Sequence, residues 1–304
     1  MSELQLQSVI QVIPDSELRA LLSLLDDTDT TVTTAVQRKL ISYGRLIIPH
    51  LRELITREYE LTQDDNNTII VNAQACIKGL QTTALSTMLD KIIDAKIDGS
   101  DIKLEEAAFL LSSFGYPEVN ITDFTTKLDE ISLRVHNIYI QMKNHSELTL
   151  LMSLNTVFFE QEDFRGATKN YYAPENSYIC RLIDTKRGIP ISISIVYMLV
   201  AERVGVELHG IGMPLHFLVY HPNLNVFIDT FNFGAFISRE DCEQFIRQSG
   251  FSYSDKMLQR SNNIGITARM MRNLIYAHSK YNQKWEAETL QETLDEILRL
   301  TDEK

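Results

Sequence analysis

The sequence predicts an α+β protein in which helical regions lie on both sides of a mixed centre. Apolar residues recur at helical spacing through the first hundred residues. An apolar helix and three short β-like runs fill the middle, and helical spacing returns from about residue 238. At 304 residues the chain is long enough for two or three cores. We therefore expect a helical region at 1–98, an α+β core at 99–250 and a helical tail at 251–304.

The composition limits the class of protein. A formal net charge of −12 argues against general affinity for nucleic acid or an anionic membrane, because both require a basic face. The three cysteines, Cys76, Cys180 and Cys242, are odd in number and widely spaced, which is typical of a reduced cytosolic chain. The first residues, MSELQLQSVIQ, lack the basic segment of a secretory signal. The mostly apolar run at 189–201 is too short to span a bilayer. We expect a cytoplasmic protein that binds neither nucleic acid nor membranes.

The amino-terminal region is predicted to consist of helices separated by short polar breaks. The turn DDTDT separates the first two helices, and Asp29 or Thr30 is a suitable N-cap for the second. Gly44 suits the end of that helix, and Pro49 suits the start of the next one. This arrangement resembles one HEAT-type repeat, with a second helical pair expected at 68–97. A plain helical subdomain is the alternative, because no clean repeat period is present.

The turn DGSDIK marks the boundary to the second region. Apolar spacing then predicts further helices at 104–114, 121–143, about 146–160 and 177–186. The next helix, 190–204, is apolar on every side, which is typical of a buried helix. It begins after Gly188 and stops at Gly205. Three β-like runs follow it: VELHGIG, HFLVYH and NVFIDTF.

The last two β-like runs predict a hairpin that brings a histidine to an aspartate. If the chain turns at Pro222 and Asn223, His216 lies directly opposite Asp229. Directly opposed residues hold their Cβ atoms about 4.5–5.5 Å apart. An imidazole oriented by a carboxylate is what general-base and triad chemistry require. The alternative is a hydrogen-bonded pair that only ties the hairpin together.

The start of the buried helix offers one candidate nucleophile. Ser192 lies in the first turn, where N–H groups point outward and the helix dipole favours an anion. A nucleophile there would be well placed. The alternative is that its hydroxyl bonds to local backbone, since Ser194 indicates that this helix carries hydroxyls without a catalytic need. The three cysteines offer no better nucleophile.

The segment FRGATKNYYAPENSY precedes the buried helix and predicts the wall of a cleft. Its aromatic and polar side chains Arg165, Tyr171, Tyr172 and Asn176 would line that cleft. The alternative is an ordered loop capped by Asn176 or Ser177. No phosphate-binding loop or zinc motif is present in the sequence. The histidines at 209, 216 and 221 do not have the spacing of a zinc site. We therefore predict no metal and no cofactor.

Several of these motifs occur together in a known family. FRG, YY-x-P-x-NS, RGIPIS, A-E-R-x-G-V, G-x-G-x-P-x-HFLV and FID, in this order, resemble the bacterial SirB family, whose core belongs to the transglutaminase-like superfamily. EEAAFLLSSFGYPEVN at 105–120 is similar to the family's entry segment, and the resemblance extends over about 100–300. It implies a papain-like α+β core followed by a short tetratricopeptide-like helical tail.

The resemblance also implies which residues form the site. Active transglutaminase-like proteins start the central helix with Gly-x-Cys, and this sequence has Gly188-Ile189-Pro190 at that place. His216 and Asp229 match the family's histidine and aspartate. A pyrrolidine ring cannot attack a carbonyl, so the resemblance implies an acyl-transfer site that has lost its nucleophile, with His216 and Asp229 as remnants of the triad.

These observations lead to competing expectations about function. The first is a non-catalytic module that binds a protein or peptide partner. The second is a hydrolase or acyltransferase with Ser192 as a substitute nucleophile, His216 as base and Asp229 as its orienter. A third, a regulatory role, is suggested only by the SirB family's link to invasion-gene regulation. The negative net charge indicates that such a role would act through protein partners.

Overall fold

Most residues of the described chain are helical. The structure, a computed structural model, describes residues 13–301. The expectation that no secretory signal is present concerns residues 1–12, which lie outside the described residues. The α-helices are α1 (Asp15–Ser23), α2 (Thr30–Ile41), α3 (Ile48–Thr62), α4 (Thr68–Ile97), α5 (Leu104–Gly115), α6 (Ile121–Tyr139), α7 (Glu147–Asn155), α8 (Ile179–Thr185), α9 (Pro190–Arg203), α10 (Arg239–Gln248), α11 (Asn263–Lys280) and α12 (Lys284–Thr301). Within residues 13–301, no helix has both the length and the apolar character needed to cross a bilayer.

Two small sheets accompany the helices. The strands are β1 (Arg165–Gly166), β2 (Arg187–Gly188), β3 (His209–Ile211), β4 (Leu218–His221), β5 (Val226–Asp229) and β6 (Ala235–Ile237). Strands β1 and β2 form a parallel pair, and β3, β4, β5 and β6 form an antiparallel sheet in that order. The chain divides into one unit of Met1–Ala84 with Tyr116–Val119 and another of Leu85–Gly115 with Asn120–Lys304.

The first unit is helical, as its apolar spacing predicts. The Asp29 side chain accepts a hydrogen bond from the Thr31 N–H, so the predicted N-cap of α2 is confirmed. Helix α3 begins at Ile48 with Pro49 in its first turn, as predicted. Buried side chains from the successive helices of this unit form one core: Leu18, Leu25, Val36, Leu40, Tyr43, Ile47, Leu51, Leu54, Ala73 and Cys76. The second helical pair predicted at 68–97 is wrong, because α4 is one continuous helix over Thr68–Ile97. The HEAT-like character of the other helices stays a prediction.

The second unit is built around α9, and the predicted buried helix is confirmed. Every residue of 190–201 is buried, and α9 contacts α6, α8 and β4. Buried polar groups on α9 also find partners. The Ser194 hydroxyl lies 2.8 Å from that of Thr230, and the Tyr197 hydroxyl donates to Asn155 Oδ1 at 2.7 Å. The first contact holds α9 against the residue that follows β5, next to a predicted site residue, and the second holds α9 against α7.

The β4–β5 hairpin is present, but its predicted register is wrong by two residues. Val219 pairs with Ile228, and His221 pairs with Val226. The connection spans four residues, 222–225, and Asn225 adopts a left-handed conformation with φ of 50°. Because side chains alternate with a period of two, a slip of two residues keeps each side chain on its predicted face.

Helix α11, predicted as part of the tail, is tied to the segment before α8. The hydroxyl of Tyr178 lies 2.7 Å from His278 Nε2, and His278 Nδ1 lies 2.7 Å from Gln283 Oε1. Burial lowers the pKa of His278, so the neutral ring can donate from Nδ1 to the glutamine and accept from the tyrosine at Nε2. This network fixes α11 beside the loop that carries Tyr171 and Tyr172.

Candidate functional site

The first turn of α9 is held by Ser192. Its Oγ accepts from the Ile189 N–H at 3.1 Å and lies 2.7 Å from the Asn176 carbonyl and 3.0 Å from the Ile189 carbonyl. A Cβ at Gly188 would lie 2.6 Å from this oxygen, so only glycine fits. Pro190 occupies the first helical position, where a missing N–H costs nothing. The motif Gly-x-Pro-x-Ser therefore makes a helix start in which the serine hydroxyl bonds to the local backbone.

Replacing Ser192 with alanine is expected to lower the free energy of unfolding by about 1–3 kcal/mol, because it leaves buried backbone partners unsatisfied. Ser192 is fully buried. Urea denaturation of the variant and the wild type measures the effect. The matched control is Ser194→Ala in the same buried helix, which removes one contact with another hydroxyl and should cost less. Unchanged stability in Ser192→Ala would contradict a structural role for this hydroxyl.

His216 and Asp229 meet, although they are not directly opposed in the hairpin. His216 lies in the loop before β4, and Asp229 ends β5. His216 Nε2 is 3.0 Å from Asp229 Oδ2, within ion-pair distance but without the alignment of a hydrogen bond. The carboxylate also accepts from the N–H groups of Phe231 and Asn232 and from Asn232 Nδ2. Asp229 therefore both caps the turn after β5 and contacts the imidazole.

The surroundings of Asp229 favour its charged form. Burial by itself would raise the pKa of the Asp229 carboxyl, but the contact with His216 and the donors from Asn232 outweigh it. The pKa of Asp229 therefore lies below its ordinary value, and the carboxylate is ionised at neutral pH. An ionised carboxylate in this position can orient the His216 ring.

A cavity of about 340 Å³ opens beside Pro190 and His216. Its walls come from the start of α9, the loop before β4, the tyrosine loop before α8 and one face of α11. The aromatic residues lining it are Tyr171, Tyr172, Phe217 and Tyr276. Its other lining residues are Ser177, Ile189, Ile191, Leu215, Arg269, Asn273 and Ala277.

The four side chains predicted to line a cleft divide into two groups. Tyr171 and Tyr172 line the cavity. Arg165 Nη1 instead donates to the Phe159 and Phe164 carbonyls. Asn176 Nδ2 donates to the carbonyls of residues 170 and 171 and so holds the tyrosine loop in place.

None of the three cysteines lines the cavity. Cys76, Cys180 and Cys242 are all buried. Burial raises the pKa of the Cys76 and Cys180 thiols to about 11 and that of Cys242 to about 12. Such thiols remain protonated and unreactive at neutral pH. Among the described residues, no group of three or more His, Cys, Asp or Glu side chains could hold a metal ion.

Helix α11 contributes four lining residues that were not predicted from the sequence, and three of them have polar side chains. Arg269, Asn273 and Tyr276 occur at i, i+4 and i+7, so they share one face of the helix. Their spacing indicates a common face but does not indicate what that face meets. The position of α11 beside the cavity depends on tertiary contacts such as the one between Tyr178 and His278.

Comparison with known proteins finds distant relatives. A UPF0162 protein of Xylella fastidiosa strain 9a5c is 27% identical over 215 residues, which cover 68% of this chain and 74% of that protein. F-box only protein 21 of Mus musculus is 33% identical over 109 residues, which cover 33% of this chain and 17% of that protein. The human protein of the same name is 32% identical over the same length. No solved structure matches this chain.

A family-level match covers the region that contains the site. Residues 122–272 match the family described as the transglutaminase-like superfamily. The matched range includes α9, the hairpin, His216, Asp229 and Arg269. The narrower resemblance to the SirB family stays a prediction. Over residues 122–272, just under half of its length, the chain is similar to the transglutaminase-like superfamily.

Proposed function

We propose that this protein binds a peptide segment of a partner protein in the cavity beside Pro190 and that it does not catalyse acyl transfer. The observation that carries this proposal is the position of Pro190. It lines the cavity together with His216, at the place where the family resemblance implies a nucleophilic cysteine. A cavity with an imidazole beside a carboxylate but without a nucleophile can bind a ligand without forming a covalent intermediate. Any regulatory role would act through that partner.

The lining of the cavity suits a peptide. Leu215, Tyr276 and Tyr172 have exposed fractions of 73%, 54% and 44%, although all three are large apolar or aromatic side chains. Exposed aromatic groups around a recess are typical of protein-binding surfaces. The similarity to a stretch of the mouse F-box protein, which covers only 17% of that protein, supports a domain that also serves as one part of a larger protein.

The alternative enzyme, with Ser192 as nucleophile, receives no support from the hydrogen bonds of that residue. Its Oγ contacts the backbone of Ile189 and Asn176, and it is not among the residues that line the cavity. A nucleophilic hydroxyl needs its base within about 3 Å or one small movement away. These contacts support a structural role for the Ser192 hydroxyl, which the stability of Ser192→Ala would measure.

Peptide binding can be tested on the full chain with a library of fluorophore-labelled heptapeptides. Fluorescence anisotropy of the strongest binders then measures their affinity. Tyr276→Ala is expected to weaken binding about ten-fold, since truncation of a central aromatic contact commonly has an effect of this size. Phe251→Ala is the matched control, because Phe251 is also an exposed aromatic residue, at 41%, and does not line the cavity.

Three results would contradict the proposal. The first is that no heptapeptide binds the wild-type chain. The second is that Tyr276→Ala and Phe251→Ala weaken binding equally, which would place the peptide elsewhere. The third is that mass spectrometry detects cleaved or cross-linked peptide after incubation with the protein, which would indicate an active acyl-transfer site.

A further inference from the structure

Arg269 is a rigidly held cation that lines the cavity. It lies on α11, and its Nη2 donates to the carbonyls of Met213 at 2.6 Å and His216 at 2.7 Å. Its guanidinium lies 5.6 Å from the ring centroid of Phe217. These contacts hold the guanidinium beside His216 without occupying all five of its N–H donors.

Arg269 has no anionic partner within residues 13–301. The ion pairs of the described chain do not include it, and its two hydrogen-bond acceptors are neutral carbonyls. Burial, together with the nearby charge of Arg272, lowers the pKa of Arg269. A guanidinium keeps its proton nonetheless, so a partly desolvated positive charge remains uncompensated. A bound anion would remove this cost.

Among residues 13–301, no aspartate or glutamate lines the cavity. The same holds for an adjacent open groove of about 690 Å³, which shares Leu215 and Arg269 with the cavity and adds Lys256. This absence of acidic lining stands out in a chain with a net charge of −12. The carboxylate of Asp229 contacts His216 but is not among the lining residues. The charged groups that these two neighbouring recesses present to a ligand are therefore cations.

Two further groups would assist an anion at this place. Asn273 lies one helical turn from Arg269 and lines the cavity, and its side-chain amide has no protein partner in the described part of the chain. The first turn of the fourteen-residue helix α9 also lines the cavity through Pro190 and Ile191. The N–H groups at a helix start carry partial positive charge, which favours an anion there.

From this arrangement we infer that the cavity recognises a peptide carboxylate through Arg269, with Asn273 assisting and the tyrosines contacting an adjacent apolar side chain. This inference rests on the proposed peptide-binding function and assigns the chemistry of its ligand. An arginine is suited to this role because its planar fork of donors matches the geometry of a carboxylate. The carboxylate comes either from an aspartate or glutamate side chain or from the carboxyl terminus of the partner.

The test measures anisotropy with three matched sets of labelled heptapeptides and the full chain. The first set contains one glutamate and an amidated carboxyl terminus, the second replaces that glutamate with glutamine, and the third has glutamine and a free carboxyl terminus. We expect one carboxylate-bearing set to bind at least about ten-fold more tightly than the neutral set. Which set binds distinguishes a side-chain carboxylate from a terminal one.

Two variants and one control connect the preference to Arg269. Arg269→Gln removes the cation, and Asn273→Asp keeps Arg269 but places a competing carboxylate one turn away. Both are expected to abolish the preference for carboxylate peptides. Arg272→Gln is the matched control, since it changes the net charge equally on the exposed side of the same helix, and it should retain the preference. If Arg269→Gln does not fold, Asn273→Asp decides the question.

The outcomes separate this inference from the function on which it rests. Equal affinity for carboxylate and neutral peptides would overturn the role of Arg269 but leave peptide binding intact. An equal loss in Arg272→Gln would also overturn it, because the effect would then be general electrostatics. Absence of binding by every peptide set would overturn both the proposed function and this inference.

Discussion

Replacing Asp229 with alanine is expected to lower the free energy of unfolding by about 2–4 kcal/mol, the cost of losing a cap together with buried partners left unsatisfied. The Asp229 side chain accepts from the N–H groups of Phe231 and Asn232 and from Asn232 Nδ2. Its Oδ2 also lies 3.0 Å from His216 Nε2. A methyl group can do none of this in a site that is almost fully buried. Urea denaturation at pH 7 measures the loss.

Asp229→Asn is the matched variant, because it keeps the shape and one acceptor oxygen but removes the charge. Its effect should depend on pH in a defined direction. The folded-state pKa of Asp229 lies below its ordinary value of 3.8, so the ionised form stabilises the folded state. This stabilisation is fully present above the unfolded pKa and is lost as the pH falls through the folded pKa. The stability difference between the wild type and Asp229→Asn should therefore shrink below about pH 4.

Two results would contradict this account of Asp229. One is a stability difference between the wild type and Asp229→Asn that stays constant from pH 7 to pH 3. The other is an Asp229→Ala variant as stable as the wild type, which would mean that the turn after β5 holds its shape without its cap. In either case the contact with His216 would not be maintained by the charge of the carboxylate.

The central features of the fold were predictable because they depend on local patterns. An apolar helix without a polar face must be buried, and α9 is. The contact between His216 and Asp229 was predicted from a register that is wrong by two residues. It was reached nonetheless, because a two-residue slip preserves the face of the sheet. A one-residue slip would have separated the two side chains.

Other parts of the site could not be predicted because they depend on long-range packing. Strand β6 is a three-residue edge strand with mostly exposed side chains, so it lacks the alternation by which strands are identified. The approach of Arg269 to the carbonyls of Met213 and His216 joins residues more than fifty positions apart. Arg165 and Asn176 have residue types that suit a cleft, but each satisfies nearby backbone groups instead.

Replacing Pro190 with cysteine is expected to place a reactive thiol in a cavity that no cysteine lines. The new side chain would lie in the first turn of α9 and line the same cavity as His216. A helix start and an adjacent imidazole both favour a thiolate. Iodoacetamide should alkylate this thiol at pH 7 about ten-fold faster than an unperturbed cysteine, whose pKa is about 8.5. Labelling of wild-type protein gives the background, which should be low because its three cysteines are buried.

The role of the histidine is tested by the double variant Pro190→Cys with His216→Ala. If His216 and Asp229 form the remnant of a triad, removing the imidazole should lower the alkylation rate about ten-fold, back to that of an ordinary thiol. Pro190→Ala controls for loss of the proline ring, and circular dichroism confirms that each variant is folded. A thiol with ordinary reactivity, unaffected by His216→Ala, would mean that the imidazole is not positioned to act on the start of α9. Pro190 would then line a binding cavity that has no relation to an acyl-transfer site.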